Sequence, residues 1–217
     1  MPYLKTETPS PEPIDCRILS AALDLFVDNG YHKVSIHHIQ QQANVSIGSI
    51  YNHFGGKEGI ASALYKHILK EIEQVVDDAV KAETSPTLQC KHLINDLFNY
   101  TETHRNIIAF VFHAKHVEFL PEEPHACDSI PFVKMRGIIR RGIDCGELQG
   151  SDTYVVASAI FGGAIRMIQL RLENNLLQPL PSYLDELMEV TFGGARRNQQ
   201  PALNGSCKLN DTLCTAV

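Results

Sequence analysis

Two groups of residues in this chain have types and spacings that could do chemistry. The first is a histidine cluster: His113 and His116 stand three apart, with His104, His125 and Cys127 near them in the sequence. Imidazoles one helical turn apart can share a zinc ion if a third donor joins them. The pattern is weak, because Glu122 and His125 form a Glu-x-x-His match only in letters, and Pro124 interrupts the helix that would align its ends. No glycine-rich phosphate loop follows a strand and no nucleophile elbow is present. The six cysteines are scattered without a Cys-x-x-Cys pair, which favours reduced thiols. No enzyme activity, metal or cofactor is expected on these grounds.

The second group lies in "NVSIGSIYNHFGGKEGI", Asn44 to Ile60. It groups Tyr51, His53 and Phe54 and carries no charge until Lys57, while the short side chains of Ser46 and Ser49 and the glycine at 48 let a backbone approach a surface. The whole-chain charge of -6 argues at first against a nucleic-acid partner. Binding responds to local potential, however, and from Asp28 to Glu58 no acidic residue intervenes, while Lys33, Lys57 and four histidines (His32, His37, His38, His53) fall in that window.

The elements that must position these residues follow from periodicity. Ile18, Ala22, Leu25 and Phe26 predict a helix from about Ile14 to Asn29, stopped at Gly30. Ser35 is the N-cap of a second helix ending near Asn44, and Ser46 caps a third that reaches about Asn52. Asn44 tolerates the left-handed turn between them. A long helix is predicted from Lys57 to Ala82, where Ile60, Leu64, Ile68 and Ile72 recur at helical spacing. Further helices are expected at about 86–103, 105–117, 132–145, 152–175 with Ser151 as cap, and 182–197. No segment alternates with period two, so the fold class is all-α: a three-helix helix-turn-helix domain followed by a larger helical domain. The boundaries drawn are a flexible leader over 1–13, the first domain over 14–56, the second over 57–198 with 57–82 as connecting helix, and a flexible tail from 199. No run of about 18 apolar residues stands out, so a cytoplasmic chain without a membrane partner is expected.

By spacing alone, a helix-turn-helix is a weak signal shared by many helical hairpins. The residues around it are more specific. Ser35, Ile39, Ala43, Val45, Ser46, Gly48, Tyr51, His53, Phe54, Lys57 and Glu58, after "ILSAALDLFVDNGY", resemble the N-terminal domain of TetR/AcrR-family transcriptional regulators. Gln40 departs from the family's usual alanine and Asn44 from its usual glycine. The resemblance implies that Ser46, Ile47 and Ser49 face base edges, that Tyr51, His53 and Lys57 bind phosphate, and that Ser35 and His37 hold the opposite strand's backbone. It also implies a homodimer through the last two helices, a near-palindromic double-stranded operator, and a repressor released by a small-molecule effector.

Beyond Leu64 the likeness is one of helix count. Phe98, Phe110, His113, Val117, Met135, Ile139, Phe161 and Ile165 are the candidate lining of an effector pocket, which would suit an apolar or aromatic molecule. Plain core packing is the competing reading for each of them. The small residues of "VVASAIFGGAIRMIQLRL" and the stripe Tyr183, Leu184, Leu187, Val190 and Thr191 are the candidate dimer surface. The alternative function is an all-α metal-binding or enzymatic bundle without DNA binding.

Overall fold

The computed structural model describes residues 2–5, 11–112, 118–123 and 126–195. Among these residues there are nine α-helices and no strand: α1 (Ile14–Asn29), α2 (Ile36–Ala43), α3 (Ile47–Phe54), α4 (Lys57–Ala82), α5 (Pro86–Thr103), α6 (Arg105–Phe112), α7 (Ile130–Asp144), α8 (Thr153–Leu172) and α9 (Leu184–Ala195). The first three form a small head, and α5 to α9 form a larger body.

α4 joins the two. Its 26 residues bury Ile60, Leu64, Ile68, Ile72, Val75 and Ala79, one residue per turn along the helix. The spacing keeps one face apolar from end to end, so α4 packs on α1 and α3 near its start and on α5 and α7 beyond. As a result a single cluster of buried side chains runs from Ile18, Ile39 and Ile50 in the head to Phe98, Ile139 and Phe161 in the body. The head therefore cannot tilt without disturbing side chains that are close-packed on both sides.

Several element ends differ from the sequence reading for local reasons. α7 starts at Ile130, two residues early, because Pro131 is compatible with a helix's first turn, where no N–H partner is required. α8 is capped by Asp152, not Ser151: the carboxylate accepts from Tyr154 N–H at 2.8 Å and Val155 N–H at 3.0 Å. A charged acceptor there also gains from the helix dipole. The start expected at Ser182 is instead a 3-10 turn, Leu180–Tyr183, leading into α9. α8, at 20 residues, is long and apolar enough by composition to cross a membrane, which corrects the expectation that no such run exists. Its alanines and aliphatics raise the average while each remains unremarkable alone; Ile160, Phe161, Ala164 and Ile168 pack inside the bundle.

The leader is a second correction. Leu4 is 5% exposed and belongs to the core, and Lys5 pairs with Asp78 at 2.7 Å. Residues 2–5 are thus docked on α4. The tail expected from 199 lies outside the described residues.

One polar node closes the body. Arg171 of α8 donates to Glu102 of α5 at 2.8 Å, and Glu102 also accepts the Leu180 N–H at 2.9 Å. The Arg171 hydrogen bond, outweighing the cost of partial burial, holds the Glu102 carboxyl below the ordinary carboxylate range. A carboxylate with a depressed folded pKa stabilises the fold above its unfolded pKa, and that stability is lost as pH falls through the folded value. Glu102→Gln should therefore cost about 2 kcal/mol near neutrality. In thermal melts, the gap between the variant and the parent should close as pH falls into the acid range; a gap independent of pH would show that the charge is not what matters.

Candidate nucleic-acid interface and joint cavity

Each helix of the head is held by its own small device. Ser35 Oγ accepts the His38 N–H at 3.3 Å while His38 Nδ1 accepts the Ser35 N–H at 3.3 Å, so serine and histidine cap α2 reciprocally. His37 is exposed beside them. At the other end Asn44 takes φ 50, ψ 54, the left-handed conformation anticipated for the turn. Gln40 donates from Nε2 to the Val45 carbonyl at 2.9 Å. The residue that departs from the family pattern thus fastens the turn to the helix before it.

Arg17 on α1 was not singled out in the sequence. Its guanidinium donates to the Ala43 carbonyl at 3.1 and 2.6 Å and also to the Asn44 carbonyl. A cation on the last carbonyls of α2 satisfies groups the helix cannot, and it complements the helix dipole. An arginine on a polar edge of α1 looks like any solvated charge in sequence, so nothing but the fold could reveal this partner.

α3 is anchored by one side chain. Ile50 is fully buried, while Ser46, Gly48, Tyr51, Asn52 and His53 are exposed and Ile47 and Ser49 half-buried. Ser46 Oγ accepts the Ser49 N–H at 3.0 Å and lies 2.9 Å from Ser49 Oγ, so the two hydroxyls form one short polar ridge. A Cβ on Gly48 would meet nothing nearer than Ser46 Oγ at 3.7 Å. Packing within the chain therefore gives no reason for a glycine there.

α3 hands over to α4 through a tight joint. Gly55 ends α3 at φ 73 with its N–H on the Tyr51 carbonyl at 2.9 Å, and Gly56 follows at φ 143. A Cβ on Gly59 would fall 1.7 Å from the Phe54 carbonyl oxygen, so the first turn of α4 packs directly on the last turn of α3. Lys57 turns inward at this joint. Its ammonium donates to the carbonyls of Val34 at 2.9 Å and Tyr31 at 3.1 Å, and it lies 4.1 Å from the centre of the Tyr31 ring. Burial lowers its pKa. With two of its three N–H groups committed, Lys57 is a strut between α4 and the 3-10 turn Tyr31–Lys33, which changes the role expected of it.

Below that strut lies a cavity of about 350 Å³. Phe26, Val27 and Tyr31 of the head form one side of it, and Ala109, Phe110 and Phe119 of the body form the other, with His32, Lys33 and Glu118 at the rim. Phe119 stacks on Tyr31, the ring centres 4.5 Å apart. Glu123, four residues on, accepts from Ser62 Oγ at 2.5 Å and pairs with Lys66 at 2.8 Å, so this segment spans from Tyr31 to α4. Of the pocket residues expected from sequence, Phe110 lines this cavity. Phe98, Met135, Ile139 and Phe161 are buried in the core and Ile165 is half-buried against it. His113 and Val117 lie outside the described residues, as does the His113–His116 pair. Of the Glu-x-x-His match, His125 also lies outside the described residues.

A capped helix pair, a left-handed turn and an exposed second helix with one buried anchor make a helix-turn-helix, the class of motif by which regulators bind DNA. Residues 18–64 match the family model of bacterial regulatory proteins of the tetR family. The fatty acid metabolism regulator protein of Bacillus subtilis is 22% identical over 182 residues, covering 82% of this chain and 93% of that protein. HbdR, a helix-turn-helix transcriptional regulator of Aromatoleum, is 35% identical over 78 residues, 36% of this chain and 34% of its own length. In fold, the chain is similar to the transcriptional regulator FadR of Bacillus subtilis solved in complex with stearoyl-CoA, with TM-score 0.72, 22% identity, and coverage of 82% and 97%. Residues 18–64 therefore carry the N-terminal domain of the tetR family, and the proteins to which the chain is similar over most of its length are transcriptional regulators.

Two substitutions check the joint. Gly59→Ala should cost about 3 kcal/mol, because the clash is with backbone that cannot step aside; retention of the parent melting temperature would show that α3 and α4 are not so close. Lys57→Met keeps the aliphatic stem but strands two buried carbonyls, at about 1–3 kcal/mol. Amide exchange should then rise at Tyr31–Val34, and exchange confined to the α4 terminus would contradict the strut.

Proposed function

We propose that the chain is a repressor that binds a near-palindromic operator as a homodimer and leaves it when the apolar or aromatic part of a small-molecule effector occupies the joint cavity. The observation that carries the DNA-binding half is α3: an exposed, neutral, slim face on a rigid mount, in a stretch of sequence without acidic residues. A helix that enters the major groove needs little bulk where it meets the bases and hydrogen-bond donors where it meets phosphate. In this reading Ser46, Ile47 and Ser49 meet base edges, while Tyr51 and His53 donate to phosphate on one strand. Ser35 and His37, at the start of α2, hold the other. Lys57 acts by fixing the angle of α3 more than by its own charge. Serine and isoleucine discriminate bases weakly, so DNA shape and thymine methyl groups supply much of the preference.

Dimerisation through α8 and α9 is supported by what their outer faces leave uncovered. Tyr154 is 63% exposed, Val155 67% and Val190 74%. Cβ atoms on Gly162 and Gly193 would meet nothing within 4 Å. Of the stripe expected on the last helix, Leu184 is buried within the chain together with Met188 and Phe192, and Val190 points outward. Two copies joined there would set their α3 helices about one DNA turn, ~34 Å, apart.

Two further things support the ligand-response half. The cavity is walled by both head and body, so an occupant that separates Phe119 from Tyr31 favours one head orientation over the other; differential affinity of that kind is what shifts an equilibrium. The structural neighbour was solved with stearoyl-CoA, which makes acyl-CoA thioesters the first probes, with free fatty acids and aromatic carboxylates after them. The family's bacterial, soluble character supports a cytoplasmic location.

Selection from random DNA should enrich a two-fold symmetric site, and failure to enrich any sequence would overturn the DNA-binding reading. Gly48→Ala supplies the sharper check. Alanine raises helix propensity and should leave the melting temperature unchanged or slightly higher, by up to about 1 kcal/mol, while operator affinity falls by about tenfold. Unchanged affinity would mean that α3 does not approach DNA closely. Phe119→Ala should blunt the response to whichever acyl-CoA releases the parent protein, and an unaltered response would locate the effector elsewhere.

A further inference from the structure

Between residues 14 and 60 the side chains that carry a fixed positive charge are Arg17, Lys33 and Lys57. Two of them are spent inside the head. Arg17 donates to the carbonyls that end α2, and Lys57 to those of Tyr31 and Val34. Lys33 is exposed, and its ammonium meets no hydrogen-bond or ion-pair partner among the described residues. A protein that holds duplex DNA needs cations on phosphate, because the release of condensed counterions supplies essentially all of its non-specific affinity. Lys33 is the fixed charge the head has left for that purpose.

Its place in the chain gives it two neighbourhoods. Val34 is extended, at φ -88 and ψ 131, with its side chain buried in the core. Side chains alternate across an extended residue, so Lys33 and Ser35 project to the side opposite Val34. The ammonium is thereby offered beside the start of α2, where Ser35 and His37 stand. Lys33 also lines the joint cavity, whose wall is formed largely by the rings of Phe26, Tyr31, Phe110 and Phe119. Glu118 stands on the body side of the same rim, so an anion entering the cavity is repelled there and drawn to Lys33. At roughly 30 Å³ for each water-sized group, a space of about 350 Å³ holds about a dozen. What fits is a molecule with an apolar chain or ring of about that size and one terminal anion.

We infer that Lys33 is a shared cation: it grips an operator phosphate in the DNA-bound protein, and the effector is a free carboxylic acid that takes the same ammonium as its apolar part fills the joint cavity. An ammonium on a long flexible stem can turn to either anion but serves only one at full strength. Competition for that charge is a direct route to release. Each carboxylate bound removes one phosphate contact, and by linkage DNA weakens acid binding in the same proportion. The inference rests on the DNA-binding and joint-cavity readings above and narrows them; among the probes named there it selects free acids over thioesters, whose carbonyl is uncharged.

The test uses the full chain and the variants Lys33→Met and Lys33→Arg, with decanoate, phenylbutyrate and the uncharged phenylbutanol as probes. Lys33 is exposed, so neither variant should shift the melting temperature. In calorimetry without DNA, at least one acid should bind the parent and Lys33→Arg, and bind Lys33→Met about tenfold more weakly, while the alcohol binds all three alike. On DNA selected by the parent, the slope of log affinity against log salt should be shallower by about two in Lys33→Met, ~0.9 for each subunit of a dimer. A saturating concentration of the acid should lower the parent's slope by that same amount and leave the slope of Lys33→Met where it is. Failure of both acids to bind the parent, or losses in Lys33→Met that are nil or equal for acid and alcohol, would overturn the inference whether or not the chain binds DNA. So would an unchanged salt slope in Lys33→Met, or an acid-induced fall in slope that persists in that variant. If selection yields no operator, the repressor reading fails, and the calorimetric comparison still decides whether Lys33 receives the carboxylate.

Discussion

The ammonium of Lys57 is the contact on which the head's geometry depends. Half-buried, it sits on the ring and carbonyl of Tyr31 and on the carbonyl of Val34, at the residue where the connecting helix begins. Even partial burial of a cation is costly unless its donors are used, and here two of them are. In return, the first turn of α4 is fixed to the 3-10 turn that follows α1, and the contact of Gly59 with the Phe54 carbonyl fixes α3 to that same first turn of α4. Three helices from different stretches of the sequence thereby share one origin. Because α4 is buried along one whole face, the position of that origin is set by the body as well as by the head.

This arrangement explains why the outward side of α3 can be so plain. The buried anchor Ile50, the serine ridge and the cap by Ser46 hold the helix without using its exposed surface. In the proposed reading, the hydrogen-bond donors Tyr51 and His53 are left at the flanks to act on phosphate without crowding the bases. The joint cavity occupies a position of leverage for the same reason. Its walls belong to both parts of the molecule, and its roof is the Tyr31 ring on which Lys57 rests. A ligand there would act on the origin itself; in the proposed account no long relay of side chains is needed.

Much of this was legible in the sequence, and the residues that were not share a cause. Periodicity located α1, α4 and α5 to within a residue, because a long apolar stripe leaves little choice of ends. Ser35, Asn44 and Ser46 were readable because caps and turns are local. Lys57 was placed correctly as the start of α4 and yet given an outward task, since sequence says where a side chain begins and not which way it turns. Arg17, and the docking of Leu4 on α4, escaped because their partners lie 26 and 67 residues away. The pocket suffered likewise: Phe98, Met135 and Ile139 have the composition of a pocket wall, but the same composition fills a core, and only packing separates the two. Ser151 against Asp152 shows the remaining local ambiguity, where two good caps adjoin and the stronger acceptor prevails.

The account stands on α3 meeting DNA through its small face while Lys57 stays turned inward. A crystal structure of the dimer on its selected operator duplex tests both halves at once. The account predicts α3 in the major groove with the Gly48 backbone in van der Waals contact with a base edge, and the Lys57 ammonium still on the carbonyls of Tyr31 and Val34. A complex in which another surface grips the duplex, or in which Lys57 has swung out to a phosphate, would contradict it.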